Sequence, residues 1–240
     1  MRTFSDGRIF GEQVGSGRPE VLALHGWRRD RRDLVPAVAG LNAVAVDLPG
    51  FGATPPPEEA WGTAEYAAML GPIVAEMDRP VVVLGHSFGG RVAVQLAATR
   101  PEAVRALVLT GVPLLRPPAP RPARAYRLAR ALHRAGLVGD GAMEAVRARS
   151  GSADYRQASG IMRQVLVRVV NESYEDELGS LDCPVELVWG ERDAVAPLEM
   201  ARAAARLVAD ARLTVCPGAD HFSFRTHPEE LRAALARHHR

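Results

Sequence analysis

Residues 81–90 read Val-Val-Val-Leu-Gly-His-Ser-Phe-Gly-Gly, and this stretch constrains the fold more than any other. A run of branched apolar residues suits a strand covered on both faces, as in a parallel sheet. It ends in a G-x-S-x-G pattern at residues 85–89 and passes into RVAVQLAAT, a helical segment that stops before Pro101. A serine that attacks a carbonyl has to stand on a sharp strand-to-helix turn, clear of the sheet edge. The strained turn tolerates no bulky neighbour, so glycine belongs two residues to either side, where Gly85 and Gly89 stand. The helix then aims its amino end at the place where an oxyanion would form. Ser87 is therefore the candidate nucleophile. The plainer alternative is a glycine-rich turn whose serine is only a helix cap.

Further apolar runs occur at 21–24, 43–46, 106–110, 185–189 and 213–215, with helical candidates at 91–99, 199–208 and 229–236 between or after them. This alternation predicts an α/β fold with a doubly wound, mostly parallel sheet. Asp6-Gly7 and Gly15-Ser16-Gly17 predict a hairpin on the sheet edge. At 240 residues and 47% hydrophobic, the chain can form one large α/β domain with an insertion. The rhythm breaks from Pro113 to about Leu181, where a proline-rich stretch, Pro117 to Pro122, precedes helical segments at 123–135, 142–149 and 161–170. We expect residues 1–112 and 182–240 to form the core and 113–181 a helical cap.

A serine nucleophile needs a base, and the base an orienting carboxylate. On such a sheet the chain order is serine, acid, histidine. His221 lies in Pro-Gly-Ala-Asp-His-Phe, a loop straight after the last strand, where a base can reach back across the strand tips. His133, His227, His238 and His239 are less well placed; the last two read as solvent-facing. Asp193 follows the strand at 185–189 and is the expected acid, with Glu191 the runner-up and Asp47 and Asp220 the other competitors. Two backbone N–H groups would hold the oxyanion: that of Phe88, after the serine, and that of Trp27, in the loop after the strand at 21–24. His25 is expected to brace that loop. Trp27, His86 and Phe222 are expected to line the pocket.

In order, the chain carries LHGW (24–27), DLPGFG (47–52), GHSFGG (85–90), WGERDAVAP (189–197) and GADHF (218–222). With these motifs it resembles the α/β-hydrolase superfamily, in the small-capped branch that holds carboxylesterases, enol-lactonases and C–C bond hydrolases. The resemblance implies a structural role for Asp47 and a cap that sets substrate choice. C–C hydrolases of that branch usually carry a glycine-rich oxyanion loop, an Asn before the serine and a Trp after the histidine. This chain has Trp27-Arg28-Arg29, His86 and Phe222 there. The leading expectation is hydrolysis of a carboxylic ester or similar small acyl substrate. The alternatives are a C–C hydrolase acting on a vinylogous keto acid and a non-catalytic ligand-binding protein on the same fold.

Composition bounds the partners. The 30 basic residues, all arginine, against 28 acidic give +2, too small a surplus for a dedicated nucleic-acid surface. Neither a secretory signal nor an 18-residue apolar run is evident, so no membrane span and a cytoplasmic location are expected. Cys183 and Cys216 read as buried thiols. Neither cofactor nor metal is expected. Residues 116–149 carry eight arginines against Asp140 and Glu144. The bland reading is a solvated outer face. The sharper one is that Arg124 or Arg127, or Arg28 and Arg29 beside the oxyanion loop, anchors a substrate carboxylate.

Overall fold

The structure, a computed structural model, describes residues 2–116, 130–139, 141–143 and 153–239. Eight strands form one sheet: β1 (Arg2–Phe4), β2 (Ile9–Val14), β3 (Val21–Leu24), β4 (Ala43–Val46), β5 (Val81–His86), β6 (Val104–Thr110), β7 (Val185–Gly190) and β8 (Ala211–Cys216). Their order is β1-β2-β4-β3-β5-β6-β7-β8. β1 and β2 make the expected edge hairpin, β2 also pairs antiparallel with β4, and all other pairings are parallel. The helices are α1 (Thr63–Glu76), α2 (Phe88–Thr99), α3 (Ala153–Gln157), α4 (Gly160–Val169), α5 (Glu175–Gly179), α6 (Leu198–Ala205), α7 (Ser223–Thr226) and α8 (Pro228–Ala236).

Successive strand side chains point to opposite faces, so a strand buried on both sides must be apolar throughout. Leu22, Leu24, Val44, Val46, Val81 and Val83 pack on one face against α1 and α2. Val21, Ala23, Ala43, Ala45, Val82 and Leu84 pack on the other, against Leu34, Val38 and Leu231 and Leu235 of α8. The unbroken apolar runs thus mark the middle of a three-layer sandwich.

β7 holds an exception. Glu186 is buried among apolar neighbours, and Arg237 (Nη2 to Oε2, 2.6 Å) and His238 (Nε2 to Oε1, 3.1 Å) bind it. The sequence reading left His238 to solvent. A buried carboxylate demands partners, and the residues just past α8 supply them. Cys216 is buried, whereas Cys183 is only half-buried.

Between β6 and β7 the described residues form helices and no strand. Of the expected helix over 123–135, residues 130–134 are described and helical; of that over 142–149, residues 142 and 143. Arg124 and Arg127 lie outside the described residues. The third becomes α4, with α3 before it and α5 after, packed on α2.

Candidate active site

The elbow is built by close approach. Ser87 has φ +49° and ψ −113°, a conformation costly for any residue with a side chain. A Cβ on Gly89 would sit 2.2 Å from the carbonyl oxygen of Leu24 in β3, and one on Gly85 would sit 2.5 Å from the Cα of Gly90. Side chains there would drive α2 off the sheet. Phe88 opens α2, so its N–H has no partner within the helix and faces the turn.

The loops at the carboxyl ends of β5, β7 and β8 bring three side chains together. His221 Nε2 lies 3.1 Å from Ser87 Oγ. His221 Nδ1 lies 2.9 Å from Asp193 Oδ2. Asp193 is buried, and its Oδ1 accepts the N–H groups of Val195 and Ala196, each at 2.8 Å. Both of its oxygens are thus fixed. The competing carboxylates are engaged elsewhere. Glu191 accepts the N–H of Gly218 at 2.8 Å, and Asp220 accepts that of Phe222 at 2.8 Å. Asp47 is fully buried and accepts N–H groups of Arg31 and Ala53 at 2.8 and 2.9 Å, which ties the DLPGFG loop to the segment after the HGW motif.

His25 braces the loop after β3 through both ring nitrogens. The N–H of Leu48 donates to its Nε2 at 2.9 Å, so Nδ1 carries the proton and donates to the carbonyl of Gly26 at 2.8 Å. Burial lowers its pKa and keeps it neutral. His86 is also buried, and its pKa falls to about 3, first through burial and then through the neighbouring His221. Its Nε2 lies 3.2 Å from the carbonyl oxygen of His221, and the two rings stand 4.9 Å apart. A neutral His86 donating from Nε2 holds the backbone of His221. The ring is therefore a support beneath the site as well as part of its wall.

A cavity of about 310 Å³ opens onto Ser87 and His221, walled by Trp27, His86 and Phe222 and by Arg28, Arg29, Asp154 and Val195. Trp27 packs edge-on against Phe51 and Phe88, with ring centres 4.9 and 5.4 Å apart. Phe51, Asp154 and Val195 escaped the sequence reading. Phe51 stands in the DLPGFG motif, which could have pointed to it; Asp154 carried no local signal.

A mostly parallel sheet that delivers serine, carboxylate and histidine to one edge in that chain order has the architecture of an α/β-fold hydrolase. The sequence model of the Alpha/beta hydrolase family matches residues 21–234, and the chain belongs to that family of enzymes. It is 30% identical over 259 aligned positions to a pimeloyl-acyl-carrier protein methyl ester esterase of Chromobacterium violaceum, covering 96% of this chain and 97% of that one. It is 28% identical to a 2-hydroxy-6-oxononadienedioate/2-hydroxy-6-oxononatrienedioate hydrolase of Cupriavidus pinatubonensis, covering 80% and 77%. Among solved structures, an esterase from Exiguobacterium antarcticum superposes with a TM-score of 0.75 at 22% identity over 99% of this chain and 98% of that one, a likeness of fold.

Proposed function

We propose that the protein is a serine-dependent carboxylic ester hydrolase, with Ser87 as nucleophile, His221 as base and Asp193 as the carboxylate that orients it. The contact that carries this reading is His221 held between Asp193 and Ser87, at 2.9 and 3.1 Å. Ser87 Oγ bonds to the ester carbonyl carbon while its proton passes to His221 Nε2. The carbonyl oxygen becomes an oxyanion that the N–H groups of Phe88 and Trp27 stabilise. Collapse expels the alkoxide, which takes the proton from His221 and leaves as alcohol. Water, deprotonated by His221, then attacks the acyl-serine and releases the acid. Asp193 stabilises the imidazolium without taking its proton.

The segment at 113–181 would cover this site as a cap. The relatives named as methyl ester esterases favour a methyl ester; the Cupriavidus relative keeps C–C cleavage as a second reading, which uses the same groups. Among the described residues no helix is long and apolar enough to cross a membrane, and we place the activity in the cytoplasm. Ser87→Ala should abolish turnover of p-nitrophenyl acetate and covalent labelling by a fluorophosphonate. Turnover retained by that variant would overturn the assignment.

A further inference from the structure

Arg28 sits where an arginine gains nothing from its backbone. Its φ is +56°, and it is the third residue of a turn closed by the N–H of Arg29 to the carbonyl of Gly26 at 3.2 Å. A left-handed residue at that place in a four-residue turn is ordinarily glycine or asparagine, because a Cβ crowds the neighbouring carbonyl. The rest of the turn is committed: a Cβ on Gly26 would meet His86 Nδ1 at 2.7 Å, and Trp27 carries a proposed oxyanion donor. What arginine adds at this place is a side chain on the wall of the cavity that holds Ser87.

That side chain is lightly engaged. Among the described residues its one partner is Asp154 of α3, with Nη1 to Oδ1 at 3.5 Å, and both side chains are about half exposed, at 47% and 48%. Most of the five guanidinium donors are left over. The neighbouring cations differ. Arg29 places Nη2 2.6 Å from Asp33 Oδ1, and Arg225 lies 2.7 Å from the same oxygen. Strain retained at a site wall is a reason to look for a function in the strained residue.

We propose that Arg28 is a specificity residue, selecting short esters that carry a carboxylate a few bonds from the scissile carbonyl, with Asp154 holding the guanidinium until substrate displaces it. The inference rests on the reading of Ser87 as nucleophile. A carboxylate can take two parallel N–H bonds from the planar fork, which a single 3.5 Å contact does not match. The exchange trades a stretched, solvated ion pair for a shorter one in a cavity about the size of a small ester.

The test compares kcat/KM for mono-p-nitrophenyl succinate with that for p-nitrophenyl butyrate. In Arg28→Gln the ratio of anionic to neutral ester should fall about tenfold, the effect of losing one hydrogen-bonded contact between charged groups. In Asp154→Asn the ratio should rise, because the competing carboxylate is gone. Sodium chloride at 0.5 M should compress the wild-type ratio and barely move that of Arg28→Gln. Arg28→Gly should lose the ratio in the same way while keeping or raising the melting temperature, since glycine relieves the turn. A ratio that stays within twofold of wild type in Arg28→Gln overturns the proposal, as does a clear fall in melting temperature of Arg28→Gly, which would mark a structural latch. Fluorophosphonate labelling of Ser87 separates the two levels: labelling with an unmoved ratio defeats the inference alone. Failure to label, with neither ester turned over, defeats the reading of the site and the inference with it.

Discussion

Asp193 and Glu191 lie two residues apart in one loop after β7, and both accept hydrogen bonds from backbone N–H groups. Only Asp193 turns an oxygen to His221, whereas Glu191 is exposed and closes the turn at Gly218. Asp193→Asn would put an amide against Nδ1, favouring the tautomer with its proton on Nε2, where it cannot accept the serine proton. We expect a fall in kcat of about 10³–10⁴-fold, the scale such a change has in serine hydrolases. Glu191→Gln keeps an acceptor for Gly218 and should stay within about threefold. Steady-state kinetics on p-nitrophenyl acetate checks both, and comparable losses would remove Asp193 from its role. Chain order and loop position singled out Ser87, Asp193 and His221 in the sequence, and all three lie in or next to loops at strand ends, with His221 within hydrogen-bonding distance of the other two. Asp154 was invisible, since its approach to Arg28 spans 126 positions and follows no local pattern.

The elements most legible in the sequence were those with one cause. Strands β3 and β4 were read to the residue, because burial on both faces makes them wholly apolar. Helix α1 has no counterpart among the helical segments expected from the sequence, and it runs through Gly71-Pro72. Pro72 removes one N–H from the ladder, and packing of Tyr66, Leu70, Ile73 and Val74 in the core outweighs that loss. The amino end of α1 is held from far along the chain. Glu172, just after α4, accepts the N–H of Thr63 at 3.2 Å, its hydroxyl at 2.7 Å and the hydroxyl of Tyr174 at 2.8 Å. Nearby, Arg91 of α2 donates to the carbonyl of Val169 at 2.6 Å. This network fastens the return leg of the segment between β6 and β7 to both α1 and α2. Glu172→Ala would leave the N–H of Thr63 without an acceptor, its hydroxyl keeping only the Tyr174 hydroxyl at 3.1 Å, and should cost about 1–3 kcal/mol in urea unfolding. Thr63→Val should cost clearly less in the Glu172→Ala background than in wild type, because the two share a network. Additive losses would show that the carboxylate does not bind Thr63.

Across the whole molecule, acid works against the fold, and one cause lies under the candidate active site. The carboxylates whose pKa values are lowered, Asp30, Asp33, Glu65 and Glu186, lose stabilisation only as pH falls through the carboxylate range, near 4 and below. Histidines act earlier. His86 drops from an ordinary value of 6.5 to about 3, so folded protein keeps the ring neutral while the unfolded chain binds a proton below about 6.5. Between those values the unfolded state holds the extra proton, and stability falls as pH falls. From His86 alone the loss at pH 5 is about 2 kcal/mol relative to neutral pH. His25, buried and also lowered, adds a loss in the same direction. No pattern in the sequence announces this, since His25 and His86 differ from exposed histidines only through the layers packed over them. His86→Gln retains a donor for the carbonyl of His221 and removes the titration. Urea unfolding at pH 7 and pH 5 should therefore show a drop about 2 kcal/mol smaller in His86→Gln than in wild type. An equal drop in the two proteins would mean that His86 takes up its proton without unfolding, and that the ring beneath His221 is not held neutral by burial.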